Sequence, residues 1–421
     1  MTGKEAIAYI EDYTWSTSKM GLERTFELLS KMKDPQKKLR FVHVTGSNGK
    51  GSTCSMVESV LRSAGYRTGL YTSPHVCDFY ERIKVNNVSI SAEELAEITE
   101  YVAGFADTME DHPSQFELVT AIAMEYFDRK NCDIVILEVG MGGALDSTNV
   151  IPAPLVAAFT NIGLEHTEYL GDTLTKIAAT KAGIIKKGCH VVCYDSEKEA
   201  TDTILKICEE KDVPFLLAKD TAEEISVDLY GQKFRYLGDE YEISLLGHHQ
   251  IRNAIVAIEI VKALGQQGVQ ISQEDLRRGL KEAKWPARFE VLKREPLFIL
   301  DGGHNPQCAL ALIETLKAVL PDKKVWFLTG VLADKDYEKI ADLIAPFALG
   351  AVCVPVDNPR ALPADDYRNC FEARGIPAFS TESVGDGIAM IQKKAGEEAV
   401  VAFGSLYMAG NIRKLILNGQ K

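Results

Sequence analysis

The segment Val42-His-Val-Thr-Gly-Ser-Asn-Gly-Lys-Gly-Ser-Thr53 constrains the fold of this chain more than any other. An apolar run that leads into a glycine-rich turn, a lysine and a hydroxyl pair predicts a buried strand, a loop and the start of a helix. In such a loop the glycines let the backbone approach a phosphate, while the amides and the helix N-terminus supply positive potential. We therefore predict a phosphate-binding loop, in which the Lys50 ammonium reaches the terminal phosphates. Its predicted contacts are Asn48, Gly49, Lys50, Gly51 and Ser52.

This loop departs from the usual G-x-x-x-x-G-K-[ST] pattern at two positions. Val44 stands where the first glycine is expected, and Gly51 separates Lys50 from Ser52. The alternative is a glycine-rich turn that binds no ligand. The apolar strand before the loop and the helix after it favour phosphate binding.

Apolar runs alternate with amphipathic segments along the chain, which predicts α/β architecture with a mostly parallel sheet covered by helices. Between residues 226 and 246 short alternating segments with glycine turns predict a hairpin, after which a second α/β series begins. We therefore predict two domains, residues 1–292 and 293–421. The predicted strands are Phe41–Thr45, Asp133–Val139, Val156–Thr160 and His190–Tyr194 in the first domain, and Pro296–Leu300, Val325–Gly330, Ala351–Pro355 and Ala399–Phe403 in the second.

Composition and charge exclude several classes of function. The 421 residues carry a formal net charge of -13, which argues against non-specific binding to nucleic acid. No run approaches the roughly 18 apolar residues of a membrane-spanning helix, and the N-terminus lacks the pattern of a secretion signal. The nine cysteines show no metal-binding spacing. We therefore expect a cytoplasmic protein that acts on small molecules.

Glu138 lies near the C-terminal end of an apolar run that predicts a strand buried on both faces. A carboxylate in that position is costly unless it is paired or bound to a metal. Ligands of open α/β sheets bind at this edge. Ser73, in a Thr-Ser-Pro segment, offers a hydroxyl to a cation or a phosphate. An ion-paired Glu138 and a proline-stopped turn at Ser73 are the alternatives.

A helix is predicted to begin after Asp172 as its N-cap and to end at Gly183. Lys181 shares one face of this helix with apolar residues, so it points inward and needs neutrality or a partner. His166, in a loop, is a metal ligand or a solvated side chain. In the second domain Asp301 and His304 lie in a strand-to-helix turn, as an acid–base pair or as turn residues.

The loop Thr45-Gly-Ser-Asn-Gly-Lys-Gly-Ser52 resembles that of the folylpolyglutamate synthase and dihydrofolate synthase family, within the Mur-type amide ligases. The resemblance extends over nearly the whole chain. It implies a P-loop ATPase-like N-terminal domain with a small hairpin region, and a smaller Rossmann-like C-terminal domain. It also implies ATP-dependent attachment of L-glutamate to a folate or dihydropteroate through an acyl phosphate, in a monomer. Mg²⁺ is the implied metal, and a monovalent cation is a further candidate.

The resemblance also implies roles for individual residues. Lys181 matches a lysine that is commonly carbamylated in the family, with a plain salt bridge as the alternative. Arg288, in Trp285-Pro-Ala-Arg-Phe-Glu290, matches an arginine that stabilises the transferring phosphoryl group. His304 would help to place glutamate. The implied Mg²⁺ ligands are Ser73, Glu138 and His166, and the implied nucleotide contacts in the helices are Asn253, with helix capping as its alternative, and Asp301.

Four further segments resemble the acceptor side of the family. Phe116 is expected to stack on a flat pteridine ring, with a core position as the alternative, and Arg82 to contact an acidic substrate. The full set of predicted acceptor contacts is Gly21, Leu22, Arg82, Phe116, Glu117 and Asp146. Ala144 stands where arginine is usual in the family, so one positive contact is missing.

Three other functions remain open from the sequence. A cell-wall Mur ligase usually carries an additional N-terminal domain, and only 45 residues precede Gly46. A nucleotide-binding protein without turnover does not need Glu138, His166 and Lys181 at one sheet edge. A kinase would release no phosphate in response to glutamate.

Overall fold

The apolar runs of the first half form one large sheet. In the computed structural model, which describes residues 1–12 and 21–418, an eight-stranded sheet has the order β4-β3-β2-β5-β1-β6-β7-β8. Its strands are β1 (Phe41–Thr45), β2 (Thr68–Tyr71), β3 (Ile83–Val85), β4 (Val88–Ser89), β5 (Ile134–Glu138), β6 (Val156–Phe159), β7 (His190–Tyr194) and β8 (Phe215–Ala218). The strands from β2 to β8 in this order are parallel, and β3 and β4 form an antiparallel hairpin at one edge.

Helices cover both faces of this sheet, which is why β5 reads as a continuous apolar run. Ile134 and Ile136 face the layer of α3, α9 and α10, whereas Val135 and Leu137 face the layer of α1, α2, α4 and α5. The helices are α1 (Gly3–Glu11), α2 (Glu23–Lys31), α3 (Lys50–Ser63), α4 (Ala92–Ala106), α5 (Gln115–Arg129), α6 (Thr167–Leu170), α7 (Leu174–Lys181), α8 (Lys198–Lys211), α9 (His248–Gln266) and α10 (Gln273–Glu282).

The predicted hairpin between residues 226 and 246 is a three-stranded sheet of order β11-β10-β9. Its strands are β9 (Glu223–Asp228), β10 (Gly231–Tyr236) and β11 (Asp239–Ile243). The predicted region begins at Ser226, inside β9, and so missed the first half of this strand, which is exposed and begins with two glutamates. Such a strand lacks the apolar alternation that marks a half-buried one.

The remainder of the chain builds a second sheet of six strands, with the order β12-β13-β17-β14-β15-β16. Only β12 is antiparallel to its neighbour. The strands are β12 (Glu290–Arg294), β13 (Leu297–Asp301), β14 (Val325–Thr329), β15 (Ala348–Cys353), β16 (Ala378–Ser380) and β17 (Val400–Phe403), and the helices are α11 (Pro306–Val319), α12 (Tyr337–Ile344), α13 (Ala364–Glu372), α14 (Val384–Ala395) and α15 (Leu406–Asn418). The division after residue 292, which falls inside β12, stays a prediction.

Two further features of the fold bear on the sequence predictions. The N-cap of α7 is Thr173, whose side chain accepts from the Lys176 amide, so the assignment of the cap to Asp172 was wrong by one residue. Asp172 instead pairs with the Lys176 ammonium at 2.8 Å. All nine cysteines are free thiols. Within residues 1–12 and 21–418, no helix has the length and apolar character needed to cross a membrane.

Close packing of α10 on α3 depends on Gly279, where a Cβ atom would lie 2.6 Å from the Val60 backbone nitrogen. We predict that Gly279→Ala lowers the thermal unfolding midpoint, because overpacking a helix contact costs about 1–3 kcal/mol. Gly104→Ala in α4 is the control, since nothing lies within 4 Å of its Cβ position. That variant gains helix propensity of about 0.5–1 kcal/mol. Equal shifts in both variants would contradict the packing argument.

Candidate active site

The glycine-rich segment forms a loop around its own lysine. Gly49, with φ at +86°, precedes α3, and the helix begins at Lys50. The Lys50 ammonium donates to the carbonyls of Gly46 at 2.9 Å and Ser47 at 3.3 Å. The cation therefore lies inside the loop, where its charge adds to that of the helix N-terminus.

Tertiary contacts with the segment after β6 hold the loop in this conformation. The amides of Ser47 and Asn48 donate to the backbone and side-chain oxygens of Asn161, both at 2.8 Å. Thr160 Oγ1 donates to the Asn48 carbonyl at 2.8 Å, and the Gly163 amide donates to Ser47 Oγ at 3.0 Å. The geometry of the loop is thus fixed by a neighbouring strand end as well as by its own glycines.

Two side chains from distant parts of the chain lie against the loop glycines. A Cβ atom at Gly49 would overlap with Asn253 Oδ1, and one at Gly51 would lie 2.7 Å from Trp285 Cζ2. The structure therefore brings Asn253, a predicted nucleotide contact, to the loop. Asn253 Nδ2 also donates to Gln250 Oε1 at 3.0 Å. Trp285 was not predicted to reach the loop, because no local sequence pattern reports this contact.

Glu138 and Ser73 meet at the C-terminal edge of the central sheet. Glu138 Oε2 accepts a hydrogen bond from the Ser73 amide at 3.0 Å, and its residue is only 5% exposed. Burial raises the pKa of Glu138 to about 7, although Lys50 and Arg288 lower it. Within the described residues Glu138 forms no ion pair. A buried carboxylate beside a serine is a donor set that suits a hard divalent cation, so these residues fit Mg²⁺.

His166, the third predicted metal ligand, is exposed. It precedes α6 with φ at +45°. No group of three His, Cys, Asp or Glu side chains suited to a metal occurs in residues 1–12 and 21–418. The structure thus joins Ser73 to Glu138 without adding His166, and the role of His166 stays a prediction.

Lys181 is buried beside the phosphate loop and forms an ion pair with Glu165, which the sequence analysis did not predict. Its ammonium donates to Glu165 Oε1 at 2.8 Å and to the Gly46 carbonyl at 3.1 Å. Burial lowers the pKa of Lys181, whereas Glu165 raises it. The prediction that Lys181 points inward is confirmed, since it is 1% exposed. Glu165 directly precedes His166 after an apolar strand, and that position was the available signal.

Arg288 lies on a strained linker between the two large sheets. Its neighbours Ala287 and Phe289 both have left-handed backbones, with φ at +53° and +44°. The Asp301 carboxylate holds the linker, because it accepts from the amides of Phe289 at 2.9 Å and Gly303 at 2.7 Å. Both carboxylate oxygens of Asp301 therefore accept hydrogen bonds from backbone amides. This is the role of a turn residue, which was one of the two alternatives for Asp301 in the sequence analysis.

The turn after β13 faces the phosphate loop. Gln307 Oε1, in the first turn of α11, accepts from Asn48 Nδ2 at 3.4 Å. His304, in the same turn, has Nδ1 at 3.4 Å from the Gly302 carbonyl. Burial lowers the pKa of His304, so its imidazole is neutral at pH 7. The second sheet therefore contributes His304 to the same region as Lys50.

Phe116 and Asp146 converge on Gly140, two residues beyond Glu138. A Cβ atom at Gly140 would lie 2.6 Å from Phe116 Cζ and 3.1 Å from Asp146 Oδ2. The Phe116 ring is half-buried, 6.1 Å from the Tyr71 ring. Burial raises the pKa of Asp146. These two predicted acceptor contacts are thus brought together.

Glu117 has a structural role that differs from the predicted contact with the acceptor. It is 2% exposed and accepts from Arg24 Nε at 3.1 Å, from Thr25 Oγ1 at 3.2 Å and from the Ser114 amide at 2.7 Å. These bonds cap α5 and hold α2 against it. The carboxylate is therefore occupied by these donors, and the contact of Glu117 with an acceptor stays a prediction.

Arg82 is a largely buried cation. Its Nε donates to His75 Nδ1 at 3.0 Å, and its guanidinium carbon lies 5.2 Å from the centre of the Phe79 ring. Burial lowers the pKa of Arg82, and no ion pair satisfies it in the described part of the chain. Gly21 and Leu22 precede α2, where Leu22 packs against the core. Met20, in the same predicted segment, lies outside the described residues.

Comparisons with known proteins identify the family to which this chain belongs. The chain matches the family models of the Mur ligase middle domain, over residues 44–261, and of the Mur ligase glutamate ligase domain, over residues 287–406. The dihydrofolate synthase/folylpolyglutamate synthase of Bacillus subtilis is 36% identical over 411 residues, which cover 94% of this chain and 95% of that protein. This chain belongs to the folylpolyglutamate synthase and dihydrofolate synthase family of Mur ligases.

Solved structures of the family share the whole fold. The folylpolyglutamate synthase of Thermotoga maritima has a TM-score of 0.88 at 32% identity, covering 99% of this chain and 97% of that one. The folylpolyglutamate synthase of Mycobacterium tuberculosis, solved with ADP and AMPPCP, has a TM-score of 0.87 at 27% identity, covering 98% of each chain. The predicted family, α/β fold and class of ATP-dependent ligase are therefore confirmed.

Because burial raises the pKa of Glu138 to about 7, the folded Mur ligase binds this proton more tightly than the unfolded chain. The stability that protonated Glu138 contributes to the fold is lost as pH rises from the pKa of this carboxyl in the unfolded chain towards 7. We predict that Glu138→Gln stabilises the metal-free protein at pH 8 by about 3 kcal/mol, and much less at pH 5. Urea unfolding in a chelator at both pH values measures this difference.

The same experiment with Mg²⁺ provides the control for that prediction. Mg²⁺ should stabilise the wild type at pH 8 and have little effect on Glu138→Gln, which lacks the charged oxygen. A gain that is equal at pH 5 and pH 8 would mean that the charge of Glu138 is not responsible.

Proposed function

We propose that the protein joins L-glutamate to a carboxylate of a folate or dihydropteroate, with conversion of ATP to ADP and phosphate. The observation that carries the proposal is the buried carboxylate of Glu138 beside Ser73, with Lys50 and Arg288 as the cations that lower its pKa. Phosphoryl transfer needs such an arrangement of a metal site and fixed cations around the phosphates. The relatives, a dihydrofolate synthase/folylpolyglutamate synthase and a folylpolyglutamate synthase, support the same reaction.

ATP is the proposed phosphoryl donor. The amides of Gly49 and Gly51 and the hydroxyl of Ser52 bind its phosphates at the start of α3, with the Asn48 side chain beside them, and Asn253 contacts the nucleotide from α9. The ADP and AMPPCP bound by the Mycobacterium tuberculosis relative support this assignment. Asp301 acts on the nucleotide side by holding the linker rather than by direct contact.

Ser73, Glu138 and His166 are the proposed Mg²⁺ ligands. When bound, Mg²⁺ neutralises charge on the phosphate oxygens. The residues of the chain do the rest of the first step. Lys50 and Arg288 hold the γ-phosphate while an acceptor carboxylate oxygen bonds to its phosphorus and the bond to the ADP oxygen breaks. The products of this step are an acyl phosphate and ADP.

In the second step the neutral glutamate amine bonds to the acyl carbon, the bond to the phosphate oxygen breaks, and a proton of the amine passes to the departing phosphate. His304 places the incoming glutamate, and its neutral imidazole can accept a hydrogen bond from the ammonium form. Closure of the two domains around this region protects the acyl phosphate from water. The contact of Asn48 with Gln307 supports such an arrangement.

On the acceptor side, Phe116 stacks on the pteridine ring, Asp146 accepts hydrogen bonds from it, and Arg82 pairs with a substrate carboxylate. Gly21 and Leu22 line the approach to this site. Ala144 leaves the pocket with one cation fewer than is usual in the family. This acceptor site is compatible with both dihydrofolate synthesis and tetrahydrofolate polyglutamylation. A monovalent cation, a monomeric state and a cytoplasmic location remain predictions.

The first test is phosphate release from ATP and Mg²⁺ in the presence of L-glutamate, with dihydropteroate or tetrahydrofolate supplied separately. We expect release only when glutamate and a pteridine acceptor are both present, together with a mass gain of one glutamyl unit on the acceptor. Omission of glutamate is the control for a kinase. Tight ATP binding without release for either acceptor would overturn the proposal in favour of a nucleotide-binding protein.

We also propose that Lys181 is carbamylated in the active enzyme. Carbamylation joins the neutral amine to CO₂ with loss of a proton, and burial, which lowers the pKa of Lys181, favours the neutral amine. Lys181→Ala should lower kcat by at least about a hundredfold, as for other groups that act on transferring phosphoryl charge. Short carboxylic acids should restore part of the activity, because they replace the carbamate oxygens.

The ion pair of Lys181 with Glu165 is the competing role for this lysine. If the ammonium itself is required, Lys181→Arg retains more activity than Lys181→Ala, and short carboxylic acids restore nothing. That outcome would overturn carbamylation and leave the salt bridge as the function of Lys181.

A further inference from the structure

A histidine lies in the middle of the central strand and has no part in the proposed chemistry. His43, in β1, is fully buried, and its Nε2 lies 2.8 Å from Thr148 Oγ1. Burial lowers the pKa of His43 to about 3, so the imidazole is neutral. Its Nδ1 has no hydrogen-bond partner within the described residues. A buried polar side chain with one ring nitrogen unpaired lowers the stability of the fold.

The direction of the hydrogen bond between His43 and Thr148 follows from the bond that Thr148 makes to Asp146. Thr148 Oγ1 donates to Asp146 Oδ1 at 2.5 Å, which uses its only proton. The same oxygen must then accept from His43, so the proton of His43 is on Nε2. A directed chain therefore runs from His43 through Thr148 to the Asp146 carboxylate.

This chain ends at the acceptor side of the site. The other carboxylate oxygen of Asp146, Oδ2, accepts from the Met141 amide at 2.8 Å and lies 3.1 Å from the Cβ position of Gly140. Phe116 covers the same glycine. The orientation of Asp146 relative to the Phe116 ring is consequently set by hydrogen bonds from both sides, one of which begins at His43.

We propose that His43 and Thr148 are positioning residues, which orient Asp146 to accept hydrogen bonds from the N–H groups of a flat heteroaromatic acceptor stacked on Phe116. The inference rests on the proposed function, and it adds two buried residues that do not touch the substrate. Loss of the Thr148 hydroxyl leaves Asp146 Oδ1 with the Thr148 amide, at 3.0 Å, as its remaining donor from this side. The carboxylate can then shift relative to the ring, and binding of the acceptor weakens. The ATP and glutamate sites use other residues and are unaffected.

The test is steady-state kinetics of Thr148→Val, which keeps the shape of the side chain and removes its hydroxyl. We expect KM for the pteridine acceptor to rise at least tenfold, with changes below twofold in KM for ATP, KM for glutamate and kcat. Thr148→Ser, which keeps the hydroxyl, is the matched control and should restore acceptor KM to within twofold of wild type. A purely structural role would lower the thermal unfolding midpoint and the active fraction without this selective rise.

A second pair of variants covers the case in which Thr148→Val does not fold. His43→Gln retains an N–H close to the Nε2 position, whereas His43→Leu has none. We expect His43→Leu alone to raise KM for the acceptor. If the wild type is active and a folded Thr148→Val or His43→Leu variant has an unchanged KM for the acceptor, the inference about His43 and Thr148 is overturned, while the proposed function stands. A wild type that shows no glutamate-dependent release with any pteridine would overturn the proposed function and this inference together.

Discussion

Burial of the Glu138 carboxylate at the C-terminal edge of a doubly covered parallel sheet is the constraint on which the rest of the site depends. Parallel strands bring their ends to one edge, so β1 delivers the phosphate loop, β2 delivers Ser73 and β5 delivers Glu138. Among the residues that the structure describes, the carboxylate has one backbone amide as its hydrogen-bond partner, and burial raises its pKa to about 7. A group in this state is stabilised by added positive charge, which a metal and the surrounding cations can supply.

The cations around Glu138 are themselves held by contacts from distant parts of the chain. Lys50 is fixed within its loop, and the loop is fixed by hydrogen bonds to the end of β6. Arg288 lies between two residues with left-handed backbones, and Asp301 keeps that linker in place. Strain of this kind costs about 1–3 kcal/mol per residue and persists only where surrounding structure enforces it. Its presence at Arg288 is consistent with a catalytic position.

The two halves of the proposed reaction occupy different sides of the same edge. One side faces the second sheet and contains the phosphate loop, Asn253 and His304. The other side contains Phe116 and Asp146, which lie next to Gly140 of the first domain. The acceptor carboxylate must reach the γ-phosphate between these groups. The ion pair of Arg24 with Glu117 supports this side by holding α2 against α5.

The sequence by itself determined the elements that depend on local pattern. Apolar runs defined β1 and β7 to the residue, since strands buried on both faces leave a continuous signal, and the glycines marked the loop. The exposed first half of β9 left no such signal and was missed. Helical spacing also showed that Lys181 points inward, and the resemblance of short motifs identified the family.

Tertiary structure alone decided which side chains meet. The pairing of Lys181 with Glu165, the packing of Trp285 on Gly51 and the chain from His43 to Asp146 join residues that no local periodicity relates. It also decided that Glu117 is occupied by Arg24 and that Asp301 holds a linker. The reason is physical: local propensity depends on neighbours in sequence, whereas burial, charge pairing and hydrogen-bond direction depend on neighbours in space.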